Sequence, residues 1–463
     1  MIDYNINKVL EAIDDNFENS ISLLQHLLSF KSISTDSAYK SECKNTAVFL
    51  ADELSKIGFK SEVRETLGHP MVVAFHDADT PDRPHVLFYG HYDVQPVDPI
   101  ELWNNDPFIA QRKKIDGEEV IVARGASDDK GQLMTFIEAC RAYKAVYGVL
   151  PLKVTILLEG EEESGSPSLV PFLLQNKEEL KADFALVCDT SMWDSSTPSV
   201  SLGLRGLLAQ EIIIKAADRD LHSGSYGGAA ANPLNILANI LSDIKGDDGH
   251  INIPGFYDGV QEIDSQILEM WDKLNFTEDK FLSPVGLAKN FGEKDRTLLE
   301  NIWARPTADI NGISGGYTGE GFKTVIPSEA RAKISFRLVH DQDPIKIKQA
   351  FNVFVKERVP NDCQVQIIDH GGSKAITLPS DLPFIQKALK CLSDEWEKDA
   401  VLTCCGGSIP VVGDFQKILD MHSLLIGFAL EDDNIHSPNE KYNIRSFYKG
   451  QRSWARIMLE LTK

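Results

Sequence analysis

The stretch Val154-Thr-Ile-Leu-Leu-Glu159-Gly-Glu-Glu-Glu163-Ser-Gly-Ser joins an apolar, β-branched run to a cluster of carboxylates. An apolar run of this length, ended by small residues, predicts a buried β-strand. Three adjacent glutamates at the end of such a strand repel one another, so crowding them together is costly without a cation. The stretch is therefore either a solvated acidic loop or the edge of a metal site.

Strands and helices alternate on both sides of this stretch. Strands are predicted over residues 71–75, 84–90, 120–123, 154–158 and 184–188, and helices over 47–57 and 130–147. After residue 378 the pattern returns, with a helix over 382–396 and a strand over 424–430. This alternation is typical of an α/β domain with a mostly parallel central sheet flanked by helices.

Residues 201–378 have a different pattern, which we interpret as an inserted α+β domain. Strands are predicted there over 202–215, 324–326, 330–338 and 364–368, and helices over 233–244 and 345–355. The predicted domains are thus residues 1–200 together with 379–463, and residues 201–378 between them.

Composition excludes several classes of partner. The 463 residues carry a formal net charge of −22, which disfavours binding to nucleic acid or to anionic lipid. No apolar run reaches the ~18 residues of a membrane span, and the N-terminus lacks a signal-peptide pattern. The seven cysteines form no CxxC pair, so neither a disulfide framework nor a thiolate zinc site is indicated. We expect a soluble cytoplasmic protein.

Side chains able to bind metal follow the ends of several predicted strands. They are His91, Asp93, Glu161 to Glu163, Asp189 and His436, together with the pair Asp128-Asp129 before the helix at 130–147. In open α/β sheets ligands bind beyond the carboxyl ends of the strands, so these groups should converge on one edge. Imidazole with carboxylate suits zinc, manganese or cobalt. Taken singly, Asp128-Asp129 is an ordinary helix cap and His436 a loop histidine; taken together, these residues favour a metal site.

Longer motifs surround these residues. They are His91-Tyr-Asp93-Val-Gln-Pro, Arg124-Gly-Ala-Ser-Asp128-Asp-Lys-Gly, Glu159-Gly-x-Glu162-Glu163-Ser-Gly-Ser, Asp220-Leu-His222-Ser-Gly-x-Tyr-Gly-Gly, Lys323-Thr-Val-Ile-Pro, Gly406-Gly-Ser-Ile-Pro and His436-Ser-x-Asn-Glu. With them, nearly the whole chain resembles the dinuclear metallopeptidase family of carnosinase, cytosolic nonspecific dipeptidase, glutamate carboxypeptidase and acetylornithine deacetylase. The resemblance is closest to the dipeptidase branch. It implies hydrolysis of a peptide bond in a dipeptide or short peptide.

The resemblance also implies a ligand set for two divalent metal ions. Asp128 would bridge the ions, His91 and Asp189 would complete one site, and Glu163 and His436 would complete the other. Zinc is the expected metal, with manganese or cobalt as alternatives. The family often has a cis peptide after the bridging aspartate, which here is the Asp128–Asp129 bond.

Catalytic roles follow from the same resemblance. Asp93 would orient His91, and Glu162 would be the general base on a metal-bridging water. Strand alternation alone would place Glu161 and Glu163 on one side and Glu162 on the other. Glu161 is left without a role.

For the substrate, the resemblance implies a lid and dimerisation domain formed by residues 201–378. The implied substrate-binding residues are His222, Thr324, Arg337, His370, Gly407 and Ser408. His222 of the partner subunit in a homodimer would reach the substrate oxyanion, and Arg337 with Thr324 would bind the substrate carboxylate. Without the family context, Arg337 would be an ordinary surface arginine and His222 a turn histidine.

One departure from the family pattern leaves alternatives open. The dipeptidase branch tends to have Arg-Glu before Gly-Gly-Ser-Ile-Pro, and this chain has Cys404-Cys405. That difference favours a substrate with an acylated or unusual amino end, whereas aspartate at position 189 favours a di- or tripeptidase. The alternatives within the family are an N-acyl amino acid deacylase or a carboxypeptidase. A non-catalytic binding relative is the alternative from another class. A serine hydrolase is disfavoured because Gly312-Ile-Ser-Gly-Gly316 lacks the following helix that a nucleophile elbow needs.

Overall fold

The computed structural model describes residues 2–407 and 409–463, so the predicted substrate residue Ser408 lies outside the described residues. The chain divides into two compact units. The first comprises Met1–Leu202, Leu378–Thr403 and Val411–Lys463, and the second comprises Gly203–Thr377 and Cys404–Pro410. The lid and dimerisation role of residues 201–378 stays a prediction.

The described chain contains both strands and helices throughout. The strands are β1 (Lys60–Arg64), β2 (Met71–His76), β3 (His85–His91), β4 (Gln111–Ile115), β5 (Glu118–Val122), β6 (Lys153–Glu159), β7 (Phe184–Val187), β8 (Ser199–Leu204), β9 (Gly206–Lys215), β10 (Leu221–His222), β11 (Thr307–Gly315), β12 (Val325–Ile326), β13 (Glu329–Leu338), β14 (Gln364–Ser373), β15 (Ile376–Thr377), β16 (Val401–Cys405), β17 (Ser423–Leu425) and β18 (Lys441–Asn443). The helices are α1 (Ile6–Leu28), α2 (Lys40–Ile57), α3 (Lys130–Tyr147), α4 (Leu169–Gln175), α5 (Lys177–Leu180), α6 (Ser223–Tyr226), α7 (Pro233–Ile244), α8 (Ser265–Lys273), α9 (Glu278–Leu282), α10 (Leu298–Trp303), α11 (Pro344–Lys356), α12 (Pro383–Trp396), α13 (Pro410–Asp414) and α14 (Ile444–Glu460).

The main sheet of the first unit has the order β1-β2-β6-β3-β7-β17-β8. Its four central strands, β6, β3, β7 and β17, are parallel to one another. The strands toward the edges pair in antiparallel orientation with their neighbours. Beyond their first residue, β3 and β6 are fully buried, which explains why these parallel strands are continuous apolar runs rather than alternating ones. The predicted α/β class, with a mostly parallel central sheet, is confirmed.

Strand register brings the predicted site residues to one edge of this sheet. His91 is level with Glu159 in the parallel pair β3–β6, and Tyr89 is level with Val187 in the pair β3–β7. The three strands therefore end at nearly the same height. The residues that follow them emerge at one edge, as the carboxyl ends of parallel strands require.

A small three-stranded antiparallel sheet connects two distant parts of the first unit. Its order is β18-β5-β4, and Tyr442 of β18 pairs with Ile121 of β5. This pairing places the segment before β18, which contains His436, beside the segment after β5, which leads to Asp128. The Asp128–Asp129 peptide before α3 is cis, as the resemblance implies.

The second unit contains a four-stranded antiparallel sheet of order β11-β13-β9-β14. Helices α7 and α11 pack against it. Their shared core contains Leu208, Ile334, Phe336 and Phe351. Residues of β13 alternate between this core and the opposite face, as in a sheet with one buried face.

Two predicted strands differ from the structure. The run predicted over 202–215 is interrupted at Arg205, whose backbone N–H donates to Cys405 O at 3.3 Å and Gly407 O at 3.1 Å instead of extending a ladder. The strand predicted over 424–430 ends at Leu425, because the chain then turns closely against Thr190 at Gly427, where a Cβ would lie 1.7 Å from a backbone oxygen. Ser314 lies inside β11, which confirms that it is not on a nucleophile elbow.

Among residues 2–407 and 409–463, no helix combines the length and the apolar character needed to cross a membrane.

Candidate metal centre

Asp128 lies between two histidines. Its Oδ1 is 2.9 Å from His91 Nε2, and its Oδ2 is 2.9 Å from His436 Nε2. Burial opposes ionisation of Asp128, but the hydrogen bonds from His436 and His91 outweigh it and lower its pKa. Each carboxylate oxygen thus faces a different imidazole, which is the arrangement of a bridging ligand.

Two groups of potential metal ligands share Asp128. His91, Asp128 and Asp189 form one group, and Asp128, Glu163 and His436 form the other. Within each group the potential ligand atoms all lie within 4.8 Å of one another. The structure therefore brings together all five residues predicted to bind metal.

The chemistry of these residues fits a pair of divalent cations. Burial raises the pKa of Asp189 well above its usual value, and the negative charges of Asp128, Glu162 and Glu163 raise it further against the opposing effect of His91. Carboxylates crowded in this way are stabilised by bound protons or by cations. Imidazole and carboxylate ligands together suit zinc, manganese or cobalt.

His91 is held in a fixed orientation at the end of β3. It is fully buried, and its Nδ1 lies 3.1 Å from Asp93 O and 3.4 Å from Asp93 Oδ1. A partner on one ring nitrogen fixes the ring and directs the other nitrogen at the ligand site. Asp93 thus lies where it can orient His91, which is the role that the resemblance implies for it.

Asp93 also holds the turn that carries Glu162 and Glu163. Its Oδ1 accepts a hydrogen bond from Glu162 N at 3.3 Å, and its Oδ2 accepts one from Glu163 N at 3.1 Å. Gln95 Nε2 donates to Glu163 Oε2 at 2.7 Å. Burial raises the pKa of Glu162 to about 7, with contributions from Glu163 and Asp128 and opposition from His91.

The three glutamates after β6 do not follow strand alternation. The strand ends at Glu159, and Glu162–Ser164 form a single 3₁₀ turn. Glu161 is 3% exposed; its Oε1 accepts from His69 N at 2.9 Å and its Oε2 from Ser168 N at 3.0 Å. The alternation expected from sequence is wrong here because the strand stops before these residues.

Glu161 therefore has a structural role that the sequence does not reveal. It ties the loop containing His69 to the segment after the 3₁₀ turn. Gly68 makes this possible, because a Cβ at that position would lie 1.4 Å from Glu161 Oε1. The loop, Glu161 and the turn that carries Glu162 form one connected unit.

Glu440 is a second residue whose role sequence reasoning missed. Its buried carboxylate accepts hydrogen bonds from the backbone N–H groups of Gly125, Ser127 and Asp128 at 2.8, 2.9 and 3.0 Å. Arg124 Nη1 donates to the same carboxylate at 2.8 Å. The only sequence signal was its place as the last residue of the His436-Ser-x-Asn-Glu motif. Glu440 fixes the backbone that presents Asp128.

Two predicted substrate residues of the second unit are neighbours. His222 lies on β10 opposite Val325 of β12, and Ser223 N donates to Thr324 O at 3.1 Å. His222 Nδ1 accepts from Gly224 N at 3.0 Å. In the neutral imidazole the proton is then on Nε2, and this exposed residue can present a donor.

The other predicted substrate residues lie elsewhere in the second unit. Arg337 lies on β13 between Leu207 and Thr307 of the neighbouring strands. His370 Nε2 lies 3.3 Å from Glu211 Oε2. Gly407 N donates to Cys405 Sγ at 3.4 Å.

The profile of Peptidase family M20/M25/M40 matches residues 87–460, which include all five potential metal ligands described above. The chain belongs to this family. This membership, together with the two groups of potential metal ligands, confirms that the chain is a metallopeptidase.

Individual M20 proteins are similar over nearly the full chain. The Cys-Gly metallodipeptidase DUG1 of Candida albicans is 30% identical, covering 96% of this chain and 95% of the relative. The structure of human carnosine dipeptidase 1 has a TM-score of 0.78 and 26% identity and covers 99% of each chain. The M20 family metallo-carboxypeptidase Sso-CP2 of Sulfolobus solfataricus has a TM-score of 0.81 and 30% identity, covering 96% of this chain and 99% of that one. The first two confirm the likeness to the dipeptidase branch.

Substitution of Gly68 by alanine tests the connection through Glu161. The new methyl group would displace the Glu161 carboxylate, so both of its backbone hydrogen bonds would be lost. We expect a lower kcat and a stability loss of about 1–3 kcal/mol, measured by steady-state kinetics and chemical denaturation. Leu67→Ala, at a 98% exposed position in the same loop, is the control and should match the wild type. Unchanged stability and kcat in Gly68→Ala would contradict the role of Glu161.

Proposed function

We propose that this M20 peptidase holds two divalent metal ions through the two ligand groups that share Asp128, and that Glu162 is its general base. The observation that carries the proposal is the position of Asp128, whose two oxygens each lie 2.9 Å from a different histidine. Zinc is the proposed metal, with manganese or cobalt as alternatives, because all three accept imidazole and carboxylate ligands.

When bound, the ions supply Lewis acidity, which polarises the scissile carbonyl and acidifies the attacking water. Glu162 takes a proton from that water and later delivers it to the leaving amine. Asp93 supports both partners of this chemistry, because it contacts His91 and also accepts the backbone N–H of Glu162. The base and a metal ligand are thereby held by the same residue, through its carboxylate and its backbone carbonyl respectively.

The substrate would be bound by residues of the second unit. His222, from the partner subunit, donates from Nε2 to the oxyanion, an interaction of about 3 kcal/mol in comparable enzymes. Arg337 with Thr324 binds the substrate carboxylate, for which a guanidinium fork is suited. Gly407 and Ser408 line the substrate site, and His370 approaches it.

A homodimer formed through the second unit is part of the proposal. Among the described strands, β11 is an edge strand that pairs only with β13. It carries Ile310 and Ile313, whose exposed fractions are 48% and 59%. An unpaired edge with exposed apolar side chains is a template for pairing with another chain.

A cytoplasmic location is proposed from the cysteines. The buried cysteines Cys43, Cys140, Cys188 and Cys391 are free thiols. Free thiols persist in reducing compartments, whereas disulfides form in secreted proteins.

A carboxypeptidase is the second candidate function. The likeness to Sso-CP2, described as a metallo-carboxypeptidase, favours it. The Cys404-Cys405 pair instead favours the deacylase alternative, whose substrate has a blocked amino end, as in an N-acyl amino acid. A non-catalytic binding role is disfavoured because each proposed ligand position, and the position of the base, carries a residue able to perform that role.

Turnover measurements separate these functions. Metal-stripped protein is reloaded with zinc, manganese or cobalt and assayed on dipeptides, tripeptides and N-acyl amino acids. We expect cleavage of dipeptides, and Glu162→Gln should lower kcat roughly a hundredfold to ten-thousandfold without loss of bound metal, because the proton acceptor is removed.

Cleavage confined to N-acyl amino acids would instead favour the deacylase. Release of single C-terminal residues from tripeptides in preference to dipeptide cleavage would favour the carboxypeptidase. Full activity of Glu162→Gln would remove Glu162 as the base.

The dimer is tested by Ile313→Lys. A charge at the exposed edge of β11 should prevent strand pairing, so sedimentation should show a monomer, and activity should be lost because His222 acts across subunits. Val353→Lys is the control: Val353 is 54% exposed on α11 of the same unit, and the variant should stay dimeric and active. A fully active monomer would contradict the cross-subunit role.

A further inference from the structure

Arg205 is a partly buried arginine with an unused hydrogen-bond donor. Its backbone N–H donates to Cys405 O and Gly407 O, and its Nε donates to Gly406 O at 3.0 Å. Its Nη1 is buried and has no hydrogen-bond partner among residues 2–407 and 409–463. Holding the Gly406–Gly407 turn therefore uses the backbone and Nε of Arg205 but leaves Nη1 free.

The guanidinium group of Arg205 is fixed in place. A Cβ at Gly406 would lie only 3.0 Å from Arg205 Nη2, so the guanidinium is packed against this glycine. Nε is anchored at the same residue. A donor held in this way loses little freedom when it binds a ligand.

Arg205 and Arg337 are close along the backbone of the second unit. Arg205 immediately precedes β9, and Leu207 of β9 pairs with Arg337 of β13. Arg337 lies on the face of this sheet opposite the core that contains Leu208 and Phe336. After burial, the positive charge of Arg337 is the main factor that lowers the pKa of Arg205, to about 10.

The charges around Arg205 are not balanced. Asp309 lies near Arg337 on the adjacent strand, and among residues 2–407 and 409–463 it is the carboxylate whose charge stabilises the Arg205 cation. Its Oδ2 already accepts from Thr307 Oγ1 at 2.8 Å. Two guanidinium groups thus face one carboxylate. An arginine withdrawn from water without a matching anion is costly, which favours an anionic ligand here.

We propose that Arg205 binds the substrate carboxylate together with Arg337 and so selects substrates with a free C-terminus. The proposal rests on the proposed function, which assigns that carboxylate to Arg337. A carboxylate has two oxygens in one plane and suits paired guanidinium donors better than any neutral group. The buried Nη1 of Arg205 is the donor left for it.

A pair of substrates tests this role. Wild type, Arg205→Met and Arg205→Lys are compared on one dipeptide and on its C-terminal amide. For Arg205→Met, kcat/KM on the free acid should fall roughly tenfold to a hundredfold, mostly through KM, as expected for a lost charge-assisted hydrogen bond. The amide presents no anion, so its kcat/KM should fall much less, by no more than the lost Nε bond to Gly406 O causes on both substrates. Arg205→Lys should recover part of the loss.

Lys333→Met is the matched control, because it removes a positive charge from an exposed position of β13 and should leave both substrates unaffected. Equal losses of kcat/KM on the acid and the amide in Arg205→Met would show a structural role only, and no loss on the acid would also overturn the proposal. Failure of the proposed function is detected separately, as undiminished turnover in Glu162→Gln. That result would not alter the ratio of kcat/KM on the acid to kcat/KM on the amide, by which the role of Arg205 is judged.

Discussion

Repulsion among carboxylates gathered at one edge of a sheet is the constraint on which this structure depends. Glu162, Glu163 and Asp189 converge there because the parallel strands β3, β6 and β7 end in register, and Asp128 joins them from the segment between β5 and α3. Burial and mutual repulsion raise the pKa of Asp189, while two imidazoles lower that of Asp128. Such a cluster is stable only with compensating positive charge, and two divalent cations would provide it.

A further set of carboxylates keeps this cluster in place, each by accepting backbone N–H groups. Asp93 accepts those of Glu162 and Glu163, Glu161 those of His69 and Ser168, and Glu440 those of Gly125, Ser127 and Asp128. Hydrogen bonds to an ionised acceptor are stronger than neutral ones. The loops around the site are thus fixed by charge-assisted bonds, which hold ligands more closely than loop packing alone.

The sequence predicted the parts of the fold that depend on local pattern. The bounds of α3 and α7 coincide with the structure, and the ends of β3 and β6 lie within a residue or so of the expected ones. The residues predicted as ligands were chosen because their motifs lie at strand ends and resemble those of a known family, and the structure brings these residues together. The resemblance, rather than residue spacing, separated Glu162 from Glu163.

What the sequence did not reveal depends on contacts between distant residues. Glu440 lies more than three hundred residues from the backbone it holds. The break at Arg205 follows from bonds to Cys405 and Gly407, which no local pattern encodes. The turn at Glu161 is set by His69 and Gly68, so strand alternation could not predict it.

Metal stoichiometry of single-ligand variants tests the shared Asp128 most directly. Wild type, Asp128→Ala and His436→Ala are loaded with zinc, dialysed and measured by elemental analysis, with circular dichroism to check folding. The wild type should hold two ions per chain. His436→Ala should lose one ion, whereas Asp128→Ala should be depleted of both because it removes a ligand from each group. Two ions retained in folded Asp128→Ala, or a single ion in the wild type, would contradict a centre built around Asp128.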